Sequence, residues 1–318
     1  MAIKTWSTPV ETEKARTIPC ALCGGETFTP HLFCEGFSYV RCTRCGLVQM
    51  NPQPEQAEVA RRYREGSGAE YLSYELANEA SFLHLQELAL EDAGLEEIEE
   101  ALIHRDTAHR DTARSSCGEE SRAALPQAAP PSVLDIGCAT GALLEKLRNR
   151  GWACTGVEIS PSAEYARNKR GLDVRNLPLE ENRFPDASAN AGFDLVLASH
   201  LIEHLNAPAS FVAEVHRILK PGGYFMVTTP NIAGFQARLF GGRWRSAIFD
   251  HLYLFSIKTL SRLLTKHGFA IERVCTWGGL AAGTAPAAVK RIADKAAKRF
   301  GAGDVMLIRG KRRMGGIG

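Results

Sequence analysis

The chain has 318 residues, of which 45% are hydrophobic and 23% are charged, a composition typical of a globular protein that can bury a core. The formal net charge of +2 excludes a protein that is strongly basic or acidic overall. The first residues lack the apolar core of a secretory signal, and no apolar stretch approaches the ~18 residues of a membrane helix. We therefore expect a cytoplasmic protein without a membrane span. The length accommodates one large domain and one small domain.

Two cysteine pairs stand near the N-terminus, in a segment (1–54) whose first residues are polar and expected to be frayed. Cys20, Cys23, Cys42 and Cys45 give the pattern C-x2-C-x18-C-x2-C, with a glycine after each pair. In a reducing compartment such spacing favours a metal over disulfides, because two knuckles direct four thiolates to one tetrahedral point. The pattern predicts a zinc ribbon with one structural Zn ion, with unligated thiols or an iron centre as the alternatives. Metal binding would supply the folding energy that so small a unit lacks.

Two segments join this ribbon to the rest of the chain. Residues 55–103 are rich in Ala, Leu and Glu with apolar residues at helical spacing, which predicts linker helices interrupted near Gly94. Residues 104–131 contain a tandem HRDTA repeat followed by a stretch rich in Ala, Pro and Ser. This composition buries little apolar area, so we expect a disordered insertion.

From residue 132 onward, short apolar runs alternate with helical patterns. This alternation predicts an α/β domain over 132–318, with a Rossmann-like, mostly parallel sheet and helices on both faces. Seven strands are counted when residues 172–175 form one. Residues 283–318 carry nine lysines and arginines against two aspartates, and they are predicted to end the domain as a basic tail.

The segment VLDIGCATG places Asp135 inside a buried strand, before Gly137 and Gly141 in the turn that opens a helix. A carboxylate in an apolar strand needs a partner, either the ammonium group of a ligand or backbone amides. Seventeen residues after Gly141, Glu158 ends the next strand, where a carboxylate can accept hydrogen bonds from both hydroxyls of a ribose. Neither the G-x-G-x-x-G pattern of NAD-binding proteins nor a P-loop is present.

Four motifs, VLDIGCATG, GVEIS, FDLVLASHLIEHL and LKPGGYFMVTTPN, resemble those of class I S-adenosylmethionine-dependent methyltransferases in the same order, over residues 132–309. The resemblance implies S-adenosylmethionine as the cofactor, with its methionine part in the glycine turn and its ribose on Glu158. The adenine edge should meet a polar residue, but this chain has NLPLEENRF there, so a backbone N–H of Leu179 is the expected contact. The implied cofactor residues are Asp135, Gly137, Cys138, Gly141, Glu158, Ile159, Leu179 and Ser199.

Three histidines are candidates for the general base that would deprotonate an acceptor. His200 and His204 follow the fourth strand of the domain, at the sheet edge where open α/β sheets bind ligands, and His251 lies in FDHLYLFS. For His204, bracing of its loop is the alternative role. The segment around His251 resembles one that closes over the acceptor in family members, which implies that Tyr253 faces inward. Trp244 is expected to wall the acceptor pocket, with plain packing as the alternative.

The leading hypothesis is a methyltransferase for a small-molecule acceptor, such as a sugar, lipid or secondary-metabolite intermediate, with O-methylation ahead of C- or N-methylation. The ribbon resembles the N-terminal module of a bacterial subgroup that acts on such intermediates. An RNA methyltransferase is the alternative, but residues 1–60 lack the dense basic stripe with interleaved aromatics that RNA binding needs. A non-catalytic binding protein is a third hypothesis, against which the complete set of cofactor motifs speaks.

Overall fold

The computed structural model describes residues 15–34, 36–65, 68–116, 129–187, 191–279 and 286–314. Within these ranges the strands are β1 Phe28–Cys34, β2 Phe37–Cys42, β3 Val48–Met50, β4 Ser132–Ile136, β5 Ala153–Val157, β6 Asp173–Arg175, β7 Phe193–Ser199, β8 Leu219–Pro230, β9 Tyr253–Leu254, β10 Phe269–Trp277 and β11 Val305–Arg312. The helices are α1 Gln56–Glu65, α2 Gly68–Asp92, α3 Leu95–Ser116, α4 Ala142–Asn149, α5 Ser162–Arg170, α6 Pro208–Ile218, α7 Phe235–Phe240, α8 Ile257–Lys266 and α9 Ala287–Phe300.

Seven of the described strands form one sheet, in the order β10-β11-β8-β7-β4-β5-β6. Neighbouring strands from β8 to β6 are parallel, and β11 runs antiparallel between β8 and β10. Side chains alternate along β4, so Val133 enters the apolar cluster on one face of the sheet and Leu134 enters the cluster on the other. Helices cover both faces. The predicted Rossmann-like, mostly parallel, seven-stranded sheet is confirmed.

The strand order changes direction at β4, which has β5 on one side and β7 on the other. Such a switch point leaves a crevice beyond the carboxyl ends of the strands, because the loops that follow β4 and β7 lead away in opposite directions. The VLDIGCATG turn follows β4 and the SHLIEHL segment follows β7. The fold therefore brings both predicted parts of the site to one edge of the sheet.

Helices α2 and α3 pack on the face of the sheet that carries α4 and α5. Their junction is buried, with Leu90 and Ile98 in the same apolar cluster as Trp152. Gly94 separates the two helices with a φ of 79°, a left-handed backbone conformation that favours glycine. The predicted interruption near Gly94 is confirmed. No described helix combines the length and apolar character that crossing a bilayer requires.

The HRDTA repeat is helical as far as the structure describes it. Helix α3 continues to Ser116, so the expectation of disorder over 104–131 is wrong for residues 104–116. The repeat contains neither Gly nor Pro, and its Ala and Arg residues favour helix, so it extends a helix that is already anchored by packing at residues 95–102. Residues 117–128 lie outside the described residues.

The basic C-terminal segment is not a tail over residues 286–314. It forms α9 and then β11, which is inserted into the main sheet. Arg309 is buried in β11, where its guanidinium donates to Ala93 O and forms an ion pair with Glu272. The prediction of a basic tail is therefore wrong here, because most of the positive charges belong to a helix and a strand, and several of them have acidic partners.

The cysteine-rich segment is built into the rest of the molecule. Strands β1, β2 and β3 form an antiparallel sheet that β9 completes, with Val48 opposite Leu254. Tyr39 and Leu47 belong to the same apolar cluster as Trp244. The N-terminal sheet is thus fixed to the segment that leads into α8.

Candidate active site

A cavity of about 1090 Å³ opens beyond the carboxyl ends of β4, β5 and β7. Most of the predicted cofactor residues line it, namely Asp135, Gly137, Cys138, Glu158, Ile159, Leu179 and Ser199. Gly141 is the one predicted cofactor residue that is absent from the described lining of the cavity. It precedes α4 with a φ of 77°, and a Cβ atom there would lie 2.6 Å from Leu172 Cδ1. Gly141 is therefore required by the close approach of α5 and its following loop, not by contact with the cavity.

The turn after β4 has an unusual backbone. Gly137 and Ala139 both have positive φ, at 78° and 50°, and the Gly137 N–H donates to Val157 O on the neighbouring strand. Positive φ is unfavourable for alanine, so the surroundings must hold this conformation in place. The turn gives the cavity a floor of backbone atoms that a ligand can approach closely.

Glu158 holds this turn in place. Its Oε2 accepts from the Ala139 N–H at 3.0 Å, and its Oε1 accepts from the Ser160 N–H at 2.8 Å. A carboxylate has about four lone-pair positions, so both oxygens can still accept from a ligand in the cavity. Glu158 therefore both shapes the site and faces it.

Asp135 is buried in β4 close to Glu158. Burial and the nearby charge of Glu158 raise the pKa of Asp135 to about 7. A buried carboxyl group of this kind is stabilised in its ionised form when a cation binds beside it. The pair thus suits a ligand that carries an ammonium group.

The three predicted catalytic histidines, His200, His204 and His251, line another part of the same cavity. The rings of His204 and His251 meet edge to face, with their centroids 4.7 Å apart. His204 Nδ1 lies 2.9 Å from Asp250 O, and His251 Nδ1 lies 2.8 Å from Ser246 O. Because a carbonyl only accepts, both Nδ1 atoms carry the proton, and Nε2 is the nitrogen with a lone pair in each neutral ring.

Glu203 lies behind these histidines and was absent from the predicted catalytic set. It is fully buried, its Oε2 accepts from Thr229 Oγ1 at 2.9 Å, and its Oε1 lies 3.3 Å from His200 Nδ1. Burial alone would raise the pKa of Glu203, but His200 and then the two other histidines outweigh it and lower that pKa to about 2. An ionised carboxylate therefore lies at the centre of the histidine group.

His200 and His251 differ in exposure. His200 has a φ of 51° and a side chain that is 48% exposed, whereas His251 is buried. Burial, with a smaller contribution from the charge of His204, lowers the pKa of His251 to about 3. His251 is thus a neutral imidazole at physiological pH, and His200 is the more accessible of these two rings.

Comparison with known proteins identifies the family. A family model described as a methyltransferase domain matches residues 108–274, more than half of the chain. The chain belongs to this methyltransferase family. The class I methyltransferase membership predicted from the four motifs is confirmed.

Several relatives share parts of this methyltransferase. A protein of Mycolicibacterium smegmatis, named a probable S-adenosylmethionine-dependent methyltransferase, is 32% identical over 46% of this chain and 54% of its own. A ubiquinone biosynthesis O-methyltransferase of Caulobacter vibrioides is 34% identical over 31% of this chain and 41% of its own. The chain spans about half the length of these curated relatives. A Thermotoga maritima structure, described as an S-adenosylmethionine-dependent methyltransferase and possible histamine N-methyltransferase, is 26% identical with a TM-score of 0.45, covering 60% of this chain and 86% of that one.

Two residues predicted to contact the acceptor in the methyltransferase do not line the described cavity. Tyr253 is fully buried in β9, where its hydroxyl donates to Asn206 O at 3.0 Å. Trp244 is also buried, and its Nε1–H donates to Asp304 Oδ1. The structure therefore favours packing for Trp244, the alternative given above. It does not bring Tyr253 to the described cavity, because the pairing of β9 with β3 puts Tyr253 in the packed core.

Helix α2 forms a wall of the cavity that the sequence did not predict. The Glu75 carboxylate accepts from Ser162 Oγ, and Glu79 binds both Thr140 Oγ1 and the Arg170 guanidinium. These contacts fix α2 beside the glycine turn that follows β4 and the start of α5. Further along the helix the cavity is lined by exposed apolar side chains, including Phe82, Leu85 and Leu88. Helical spacing was visible in the sequence, but it did not reveal which surface the helix covers.

The four N-terminal cysteines of the methyltransferase converge on one point. All four Sγ atoms lie within 4.8 Å of one another, with Cys20 and Cys45 at 3.4 Å and Cys23 and Cys42 at 3.6 Å. A tetrahedral zinc site with bonds of about 2.3 Å has sulfur–sulfur distances of about 3.8 Å. After each pair a glycine N–H donates back to the first cysteine, which gives the two knuckles the same turn. The donor set and spacing fit a zinc ion.

This cysteine module is connected directly to the histidine loop. The Tyr39 hydroxyl lies 2.8 Å from Ile248 O and 2.7 Å from His251 O, and its single O–H proton is shared between these two carbonyls. Tyr39 belongs to β2, which ends at Cys42. The position of His251 therefore depends on the folding of the N-terminal module.

Proposed function

We propose that this methyltransferase transfers a methyl group from S-adenosylmethionine to a hydroxyl oxygen of a small-molecule acceptor. The observation that carries the proposal is one cavity that is lined both by Asp135 and Glu158 and by the three histidines. S-adenosylmethionine supplies an electrophilic methyl group on a sulfonium. The protein's part is to align the acceptor with that methyl group and to take up the acceptor's proton.

The residues around the glycine turn fit this cofactor. Asp135 would pair with its ammonium group, and Glu158 would accept from the ribose hydroxyls while it holds the Ala139 turn. The remaining proposed cofactor contacts are Gly137, Cys138, Ile159, Leu179 and Ser199, all of which line the cavity. The fit rests on the buried carboxyl group of Asp135, which has a raised pKa. A cation bound beside it would stabilise the ionised form and lower that pKa.

The affinity for S-adenosylmethionine is expected to rise with pH between about pH 5.5 and 7. Because burial and Glu158 raise the pKa of Asp135 to about 7, the free protein is protonated there at lower pH and must lose that proton to bind an ammonium group. Each pH unit below that pKa should weaken binding by up to about tenfold. Calorimetry in two buffers of different ionisation enthalpy should detect proton release on binding. Asp135→Asn should abolish both effects, and a pH-independent affinity in the wild type would contradict this assignment.

The walls of the cavity favour a small, partly apolar acceptor over RNA. Among the described residues that line it, two are lysine or arginine, Arg61 and Arg245, against seven aspartates and glutamates. A phosphate backbone requires the opposite balance of charge. The apolar side chains of α2 suit an acceptor with an apolar ring or chain, and several relatives are named O-methyltransferases.

We assign the base to His200. Its Nδ1 faces the buried Glu203 carboxylate at 3.3 Å, which leaves Nε2 to accept the proton of the acceptor hydroxyl. A buried carboxylate behind an imidazole fixes the tautomer and stabilises the imidazolium that forms, as in other His–carboxylate pairs. His204 and His251 then form the polar wall beside the acceptor.

His200→Ala should lower kcat by about 10²- to 10⁴-fold, because it removes the proton acceptor while the cofactor contacts remain. Transfer of a radiolabelled methyl group should be measured on a panel of phenols and alcohols, with matched amines and total RNA beside them. His84→Ala is the matched control, since His84 is an exposed histidine on α2. Methyl transfer to a phenol or alcohol that is lost in His200→Ala supports the proposal. Methyl transfer to RNA or to amines alone would overturn it.

We also propose that Cys20, Cys23, Cys42 and Cys45 bind one structural Zn²⁺. The support is the 4.8 Å cluster of four thiol groups and the matching turns of the two knuckles. Four thiolates complete a tetrahedral shell, so this ion would have no open position for catalysis. Thiolate sites of this type persist in a reducing compartment, in line with the cytoplasmic location that we propose.

A further inference from the structure

Glu203, His204 and His251 form a second group of metal-binding side chains. One ligand atom of each lies within 4.8 Å of the others, among the residues that the structure describes. Glu203 and His251 are buried and His204 is half-buried. The group is separate from the cysteine cluster and belongs to the wall of the cavity, because both histidines line it.

The orientation of both imidazoles is already fixed. Each Nδ1–H donates to a backbone carbonyl, that of Asp250 for His204 and that of Ser246 for His251, so Nε2 is the atom of each ring that can coordinate. Histidines that bind metals usually donate their other N–H to a carbonyl or carboxylate in this way.

The surroundings of the Glu203 carboxylate are a second observation that favours a bound cation. Glu203 is fully buried, and its Oε2 accepts from Thr229 Oγ1. Its Oε1 accepts no well-formed hydrogen bond from the described residues, and His200 Nδ1 lies 3.3 Å away as its ion-pair partner. A buried carboxylate oxygen that lacks a full hydrogen bond is stabilised by a cation beside it.

We propose that Glu203, His204 and His251 bind a divalent transition-metal cation. Two imidazoles and one carboxylate are the ligand set of catalytic zinc sites and of other open metal sites, in which remaining positions are left for water or substrate. Because His204 and His251 line the cavity, the open position faces the space where the acceptor would bind.

The role of this cation in the reaction rests on the proposed function. The acceptor oxygen would bind the cation at its open position, which makes its hydroxyl more acidic. That oxygen then forms the bond to the methyl group as the methyl–sulfur bond breaks, and the hydroxyl proton passes to His200. The sulfur keeps the bonding electron pair and becomes a neutral thioether.

The binding test uses the full-length chain with its cysteine site loaded with zinc. Titration with Zn²⁺ alone, followed by desalting and measurement of the metal content, should give one further bound equivalent. Glu203→Gln and His204→Gln should each weaken this binding on the order of 100-fold, since loss of even an outer partner of a metal ligand costs 10- to 100-fold. His84→Ala, which removes an exposed histidine, should keep the wild-type affinity.

Neither acceptor nor cofactor is needed for this titration, so its outcome is separate from that of the methyl-transfer assay. Thermal unfolding and S-adenosylmethionine binding identify variants that remain folded. If Glu203→Gln does not fold, His204→Gln alone provides the test, because His204 is only half-buried. Absence of the further equivalent in the wild type, or its retention in the folded variants, would overturn the proposal.

Discussion

Cys42→Ser is expected to remove the bound zinc and to abolish most methyl transfer, while S-adenosylmethionine still binds. Metal binding contributes roughly 10 to 16 kcal/mol in small zinc modules, so the N-terminal sheet should lose its order without it. Tyr39 would then release the carbonyls of Ile248 and His251. A displacement of about 1 Å at a reacting group can cost about 100-fold in rate, and we expect a loss of at least that size.

Three measurements separate these effects. Metal analysis should find the cysteine-bound zinc missing, an activity assay should give the loss in kcat, and calorimetry should give a nearly unchanged affinity for S-adenosylmethionine, because Asp135 and Glu158 lie on β4 and after β5. Cys34→Ser is the matched control. Cys34 belongs to the same sheet, but its Sγ contacts Gly242 O and it is not part of the cysteine cluster. Full activity in a zinc-free Cys42→Ser protein would contradict the proposed link to the histidine loop.

Glu158→Ala should weaken S-adenosylmethionine binding by about 100-fold or more. The substitution removes a charged acceptor for the ribose hydroxyls, and hydrogen bonds to charged groups contribute about 1.5 to 3 kcal/mol each. It also leaves the N–H groups of Ala139 and Ser160 without their acceptor, so the strained turn loses its support. Both losses act on the same ligand, and calorimetric titration measures their sum.

Two comparisons test the cause of this weakening. Glu158→Gln keeps one acceptor oxygen and should give an intermediate affinity, whereas Glu164→Ala, at an exposed position on α5, should bind like the wild type. Because the charge of Glu158 contributes to the raised pKa of Asp135, the pH dependence of the remaining binding should move to lower pH in Glu158→Gln. An unchanged affinity in Glu158→Ala would remove this residue from the cofactor site.

The grouping of Asp135, Gly137 and Glu158 around one cavity was predictable because its signals are local. A carboxylate in an apolar strand, followed by glycines and a helix, has few other structural meanings, and Asp135, Gly137 and Glu158 all line the cavity. The cysteine pairs were equally readable, since their short spacing fixes a turn. In both cases a few neighbouring residues determine the geometry.

The rest of the cavity wall was harder to predict, because it is assembled from distant segments. Tyr253 was expected in the pocket, but its pairing with Gln49 could not be inferred from the pattern around either residue. Helical spacing in residues 68–92 predicted a helix without indicating that it would wall the cavity. Likewise, the charges of residues 283–318 suggested a tail, and only the neighbours of Arg309 in the sheet explain why that residue is buried.

The pairing of β3 with β9 has a consequence for biosynthesis. Val48 leaves the ribosome long before its partner Leu254, so the N-terminal sheet must wait for most of the chain to be translated before its last strand can join. Contacts between residues so distant in sequence are formed slowly, because a long loop must close first. The nascent chain would thus carry the unpaired edge of β3 through most of its synthesis, and such an edge is a site at which strands of other chains can pair.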